Sequence, residues 1–256
     1  MSTTTPEQEA PGSASHEVWL AGSGVCVSYG KLQVLDSVDF TLARGEAVGI
    51  VGPNGAGKTT LLNALAGSVT PTRGSVQLMG EDVTALRPER RCRKGVGRAF
   101  QIPRPFGGMT VLENVIVGAS YGAELSKSER FERSIEVLEL CGLTSLANRR
   151  AEDLGLLHRK SLELARALAT SPKVLLLDEI GGGLTDAEAD ELVATIQTVR
   201  QHDVSIVWIE HIVHVLLRVI DRLVAMDAGK VIADGDPREV LQNATVVDAY
   251  LGKAGS

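Results

Sequence analysis

At 256 residues and 44% hydrophobic, the chain can bury the core of one large α/β domain, or of a domain with a subdomain. A net charge of −6 and 4% aromatic residues exclude a general nucleic-acid binder, which needs a cationic surface and stacking platforms. The three cysteines, Cys26, Cys92 and Cys141, lack metal-ligand spacing and read as small neutral thiols suited to a reducing cytosol.

Residues 1–17 are polar, with Pro6, Pro11 and Gly12 and neither a basic start nor an apolar segment. They read as a disordered tail and not as a signal peptide, and residues 254–256 as a short closing tail. Alternation between Val18 and Leu42 predicts an antiparallel β segment, and Glu46–Val51 a buried strand. Next comes Gly52-Pro53-Asn54-Gly55-Ala56-Gly57-Lys58-Thr59-Thr60, which fits G-x-x-x-x-G-K-[ST] and runs into a predicted helix over Thr60–Ala66. Strand, glycine loop and helix stand in the order that phosphate binding requires.

The chemistry of that loop follows from its residue types. Gly52, Gly55 and Gly57 let backbone N–H groups approach phosphate oxygens where a Cβ would collide, and the helix N-terminus adds partial positive charge. Lys58 is placed to reach the β- and γ-phosphates as a point charge, and the Thr59 hydroxyl to ligate Mg²⁺.

A second hairpin is predicted near Gly74–Met79. Arg87–Arg98 carries six basic residues and reads as a solvated surface, with contact to a permease or anionic lipid as the alternative. Helical patterns fill Leu112–Ala169, one of them opened by the capping box Ser126-x-x-Glu129. Val174–Leu177, bounded by Pro172 and Asp178, reads as a strand buried on both faces. Thr185-x-x-Glu188 caps the next helix, Val204–Ile209 is another buried strand, and Leu223–Met226 with Lys230–Ala233 a hairpin. Asp236-Pro237-x-Glu239 opens a terminal helix. The apolar region Val204–Met226 is interrupted by Glu210, His211, Arg218, Asp221 and Arg222, so no uncharged run of about 18 residues spans a membrane.

A phosphate loop does not separate a kinase, a GTPase and a transport ATPase. The run Val174–Ile180, VLLLDEI, does more: Asp178 at a strand end can hold Mg²⁺ through water, and Glu179 can polarise an attacking water as general base. The guanine-reading N-K-x-D of a GTPase and a phosphate-acceptor site of a small-molecule kinase are both missing from the sequence.

Here the chain resembles the ATP-binding subunits of ABC transporters, over Val18 to Lys253. The resemblance implies an α/β fold: a P-loop NTPase (RecA-like) core with an antiparallel β subdomain and an inserted α-helical subdomain at about 102–170. It implies ATP and Mg²⁺ as ligands, with Tyr29 stacking on adenine, Gln101 touching metal and water, and His211 contacting the γ-phosphate. The signature LSGGQ of that family falls on Leu154, Gly155, Leu156, Leu157 and His158, where its serine and second glycine are missing. The proline expected after the acidic pair is Ile180, followed by Gly181, Gly182 and Gly183, and the D-loop aspartate position falls on Thr185.

In the family the signature grips the γ-phosphate bound to the opposite subunit, so the departures imply a heterodimer with an intact ATPase partner in preference to a homodimer. Within the family, Gly95–Val117 (GVGRAFQIPRPFGGMTVLENVIV), the run LELARALATSPKVLLLDE and the ending IADGDPREVLQNATVVDAYLG resemble the ATPases of branched-chain amino-acid importers. That branch also serves other small polar or acidic solutes. The expected place is the cytoplasmic face of a membrane, against permease subunits and, through them, a solute-binding protein, with no nucleic-acid partner. The rival readings are an exporter ATPase for lipid or polysaccharide, and a soluble ABC ATPase not involved in transport.

Overall fold

The computed structural model describes residues 17–122 and 125–251. The two tails expected from the sequence therefore lie outside the described residues, apart from Glu17. Two sheets organise the described residues. The first is antiparallel, with order β2-β1-β4-β5, and is built from β1 (Val18–Tyr29), β2 (Leu32–Ala43), β4 (Arg73–Leu78) and β5 (Glu81–Asp82). The second has order β10-β9-β3-β8-β7-β6. Its strands β3 (Ala47–Val51), β6 (Val96–Ala99), β7 (Val174–Asp178), β8 (Ser205–Ile209) and β9 (Arg222–Asp227) run parallel. Only β10 (Lys230–Gly235) pairs antiparallel with its neighbour.

Every residue of β3, β7 and β8 is buried, which is what continuous apolar runs such as VLLLD require of a sheet covered on both faces. The period of two divides them. Val174 and Leu176 join a core with Leu61, Leu62 and Leu65 of α1 (Lys58–Ala66) and with β1 and β2. Leu175 and Leu177 join the opposite core with α5 (Leu156–Ala169) and α6 (Asp186–Arg200). The remaining helices of the inserted block are α3 (Val111–Gly122) and α4 (Lys127–Leu140), and two 3₁₀ turns, Thr144–Leu146 and Ala151–Asp153, lead into α5. The chain closes with α7 (Val213–Leu216), α8 (Pro237–Gln242) and α9 (Ala244–Leu251).

The expected capping boxes form as read. Ser126 and Glu129 cap α4, and Thr185 and Glu188 cap α6, with both reciprocal bonds present in each. Asp236 caps α8, with Pro237 in its first turn. The helix α1 begins at Lys58, two residues before the expected start, because the left-handed Gly57 takes the N-cap position.

The basic run is where the sequence reading needs correction. It forms α2 (Pro88–Arg93) and β6 and is not simply a solvated surface. Arg91 is fully buried. Its Nη1 donates to Ala64 O and Leu65 O at 2.7 Å each, and its Nε and Nη2 donate to Leu86 O and Thr84 O at 3.1 Å. The two Nη1 bonds satisfy carbonyls at the C-terminus of α1, where the helix dipole favours a cation. Burial lowers the Arg91 guanidinium to about 10. Arg98 is the second exception, treated below.

Cys26 and Cys141 are buried free thiols and Cys92 is half-buried. Among the described residues no cluster of His, Cys, Asp and Glu has metal-site geometry, and no helix is long and apolar enough to cross a membrane.

Candidate nucleotide site

The phosphate loop follows β3 and bends at two glycines that tolerate nothing larger. Gly52 has φ +150, and a Cβ there would stand 2.1 Å from Met226 O. Gly57 has φ +99, and its Cβ would meet Leu35 at 2.8 Å and Val34 O at 3.0 Å. Lys58, buried beneath the loop, donates from Nζ to Gly52 O at 2.7 Å and Pro53 O at 3.1 Å, so the ammonium is held under the turn. A recess of about 210 Å³ opens here, lined by Val34, Asn54, Gly55, Ala56, Gly57, Lys58, Thr59, Thr60 and Glu179. It is a cradle of backbone amides and one ammonium, which fits a polyphosphate.

From β7 come the two carboxylates. Asp178 Oδ1 accepts from Thr59 Oγ1 at 3.4 Å, and its Oδ2 is held by Arg98 Nη2 at 2.9 Å. A hydroxyl and a carboxylate oxygen facing each other at the loop mouth are the hard oxygen donors that Mg²⁺ takes, usually with several waters. Glu179 accepts from Gln101 Nε2 on Oε2 at 2.5 Å, and His211 Nε2 lies 2.6 Å from Oε1. The structure therefore brings Lys58, Thr59, Asp178, Glu179, Gln101 and His211 together. Tyr29, at the end of β1 and 53% exposed, is not among the residues lining the recess.

Glu179 has φ +48, a left-handed conformation that costs a non-glycine residue free energy. What holds it there is the hydrogen bond from its N–H to Ile209 O at 2.8 Å and the burial of Ile180 in the core beside it. Two residues that the sequence did not single out complete the corner. Glu210, almost fully buried, accepts from Gly181 N–H on Oε2 and from His211 N–H on Oε1, each at 2.9 Å. One carboxylate thus ties the strand end after Glu179 to the backbone of His211. Lys160, also buried, donates to Gln101 O at 3.4 Å. Burial pushes its ammonium below the ordinary lysine range, while the charges of Glu210 and Glu179 oppose that shift. The signal for Glu210 was its position between a buried strand and His211; Lys160 showed none, being one cation of a helical run.

The signature segment is built differently. Gly155 is the N-cap of α5, has no side chain to cap with, and has open space where a Cβ would stand. Leu154 is buried, Leu157 is half-buried and His158 is exposed; Leu156, 45% exposed, falls at the first glycine, so that on this alignment both glycines are replaced and not the second alone. At the D-loop position, Thr185 caps α6.

A family model for the ABC transporter matches residues 35–181, from before the phosphate loop to just past Glu179. The chain belongs to the ABC transporter family. Its fold is that of the ATP-binding cassette and its activity is ATP hydrolysis. A second model, the branched-chain amino acid ATP-binding cassette transporter, matches residues 230–256. The high-affinity branched-chain amino acid transport ATP-binding protein BraF of Pseudomonas aeruginosa is 37% identical, over 91% of this chain and 97% of its own. The corresponding protein LivG of Salmonella typhimurium is 35% identical, over 92% and 98%. An ATP-binding cassette of an ABC transporter solved in its ADP conformation superimposes with a TM-score of 0.85 at 29% identity, over 92% of this chain and 99% of that one.

Proposed function

We propose that this cassette powers an importer of branched-chain amino acids or related small polar or acidic solutes, from the cytoplasmic face of the membrane. The observation that carries the catalytic part is the convergence of Thr59, Asp178, Glu179, Gln101 and His211 at the mouth of the phosphate loop. The cargo class rests on BraF and LivG, whose names give branched-chain amino acid transport.

In this reading the loop amides and Lys58 bind the triphosphate, and Tyr29 stacks on the adenine from the rim. Thr59 and Asp178 would hold Mg²⁺, which would supply positive charge to offset that of the triphosphate. Gln101 and His211 hold the two oxygens of Glu179 while the site is empty; with nucleotide bound Gln101 keeps Oε2 and so aims the carboxylate, and the freed Oε1 takes a proton from the attacking water. His211, released from Glu179 as nucleotide enters, donates to the γ-phosphate oxygens.

The bare start of α5 faces a second subunit's nucleotide. With Gly155, Leu156, Leu157 and His158 in place of a serine and small residues, it offers only backbone amides, so the other composite site is the weak one. Pairing with an ATPase that carries an intact signature leaves one strong site, formed here; a homodimer would contain two weak ones.

Beside the site, a largely apolar groove of about 370 Å³ runs between the core and the helical block, lined by Phe100, Val117, Tyr121 and Arg166 among others. Phe100, Ile102, Phe106 and Tyr121 are exposed along it or next to it. Its lining residue Phe100 directly precedes Gln101 in the chain, and the groove suits a permease segment.

The test is copurification of tagged Glu179→Gln from ATP-treated solubilised membranes. Recovery of a hydrophobic permease and a second ATPase with an intact signature is the expected result. Recovery of soluble or ribosomal partners alone would overturn the transport reading.

A further inference from the structure

Arg98 is a charged side chain inside the molecule that the chemistry above leaves without a task. The Arg98 and Asp178 side chains are 10% and 8% exposed, an ion pair largely withdrawn from water. The fork reaches two elements at once: Nη2 donates to Asp178 Oδ2 on β7 at 2.9 Å, and Nη1 to Asn63 Oδ1 on α1 at 2.7 Å. The centroid of the Phe100 ring lies 4.6 Å from the guanidinium carbon, and both side chains line the apolar groove beside the site.

Asn63 lies one helical turn after Thr59 on the same face of α1. Arg98 is therefore bonded to Asp178 directly and to the helix that carries Thr59, so its rigid planar fork fixes the separation of these two groups. It also fixes the rotation of the carboxylate. With Oδ2 occupied by the guanidinium, Oδ1 is the oxygen turned toward the Thr59 hydroxyl.

We infer that Arg98 is a positioning residue for the metal: it orients Asp178 and spaces it from Thr59 so that Mg²⁺ finds both oxygens in place. Mg²⁺ demands near-ideal octahedral geometry, and groups that orient a metal-holding carboxylate contribute about 10- to 100-fold to metal affinity. The charge of Arg98 repels a divalent cation, but its bond falls on the oxygen that Thr59 does not face. The inference rests on Asp178 being a metal-holding residue.

The experiment is calorimetric titration of the full chain with ADP, once in EDTA and once in excess Mg²⁺, the readout being the ratio of the two affinities. In Arg98→Met that ratio falls by about tenfold or more while metal-free ADP affinity stays as in the natural chain. Arg98→Lys, which keeps the charge without the fork, recovers part of the ratio, and Asn63→Ala lowers it less than Arg98→Met does. A purely structural role would weaken both affinities together. If Arg98→Met unfolds before it can be titrated, Asn63→Ala, which leaves the Asp178 charge paired, decides alone. A ratio unchanged or raised in the variants overturns the role of Arg98. A natural chain whose ADP affinity ignores Mg²⁺ overturns the reading of Asp178 and this one with it.

Discussion

Around Thr59 and Glu179, side chains from α1, β7, the segment after β6 and the segment after β8 hydrogen-bond to one another; around Leu156 and His158, at the start of α5, no side chain caps the helix. In the proposed mechanism both regions serve the same nucleotide chemistry, yet one is tightly interconnected and the other nearly bare. In that reading the difference follows from where each region's client lies. A site that binds its ligand within one chain can be held together by that chain's own contacts. A helix start whose ligand sits on another subunit is free to lose its side chains if that subunit's site need not work fast.

The contrast can be broken first at Glu179. Glu179→Gln should lower ATP hydrolysis by about 10²–10⁴-fold, measured as phosphate release, while leaving ADP affinity intact, since general-base catalysis is worth that much. An equal loss of binding would mean that Glu179 holds nucleotide and not water. His211→Ala should cost about 10²–10³-fold in turnover, the scale of one charge-stabilising donor.

Rebuilding the bare region sharpens the contrast from the other side. In a complex whose own site is silenced by Glu179→Gln, Gly155→Ser with Leu157→Gly should raise the remaining hydrolysis by about tenfold, the worth of one added phosphate hydrogen bond at about 1.4 kcal/mol. No increase would show that α5 does not face the partner's nucleotide.

Smaller effects follow at the edges of the site. A Cβ on Gly181 would stand 2.8 Å from Glu210 Oε2, so Gly181→Ala should displace that carboxylate and lower stability by about 1–3 kcal/mol, read from chemical denaturation. The smallest effect is chemical inertness. Burial raises the Cys141 thiol to about 12, so at pH 8 it stays protonated and resists alkylation by iodoacetamide until the chain unfolds.

Much of the well-connected region was legible because its motifs are local: GPNGAGKTT follows its strand directly, and Asp178-Glu179 ends a run of apolar residues. The capping boxes of α4 and α6 were legible for the same reason, each being contained in four residues. Arg98 was not, because its partners Asn63 and Asp178 lie 35 and 80 positions away, and a lone arginine in a basic run looks like a solvated one. Arg91 was hidden likewise by bonds to carbonyls of α1, which no side-chain pattern announces. Glu210 hydrogen-bonds Gly181, 29 positions earlier, and only folding makes it the tie between the acidic pair and His211.

The left-handed backbone of Glu179 carries a further meaning. A glycine would adopt that conformation without penalty, so the position where the proposed chemistry needs a carboxylate is one where folding alone would prefer the smallest residue. Activity and durability pull in opposite directions at this single peptide, and drift that relaxed it would yield a sturdier chain that no longer turns over. A relative with glycine there would be recognisable, from one residue, as a cassette retired to holding nucleotide.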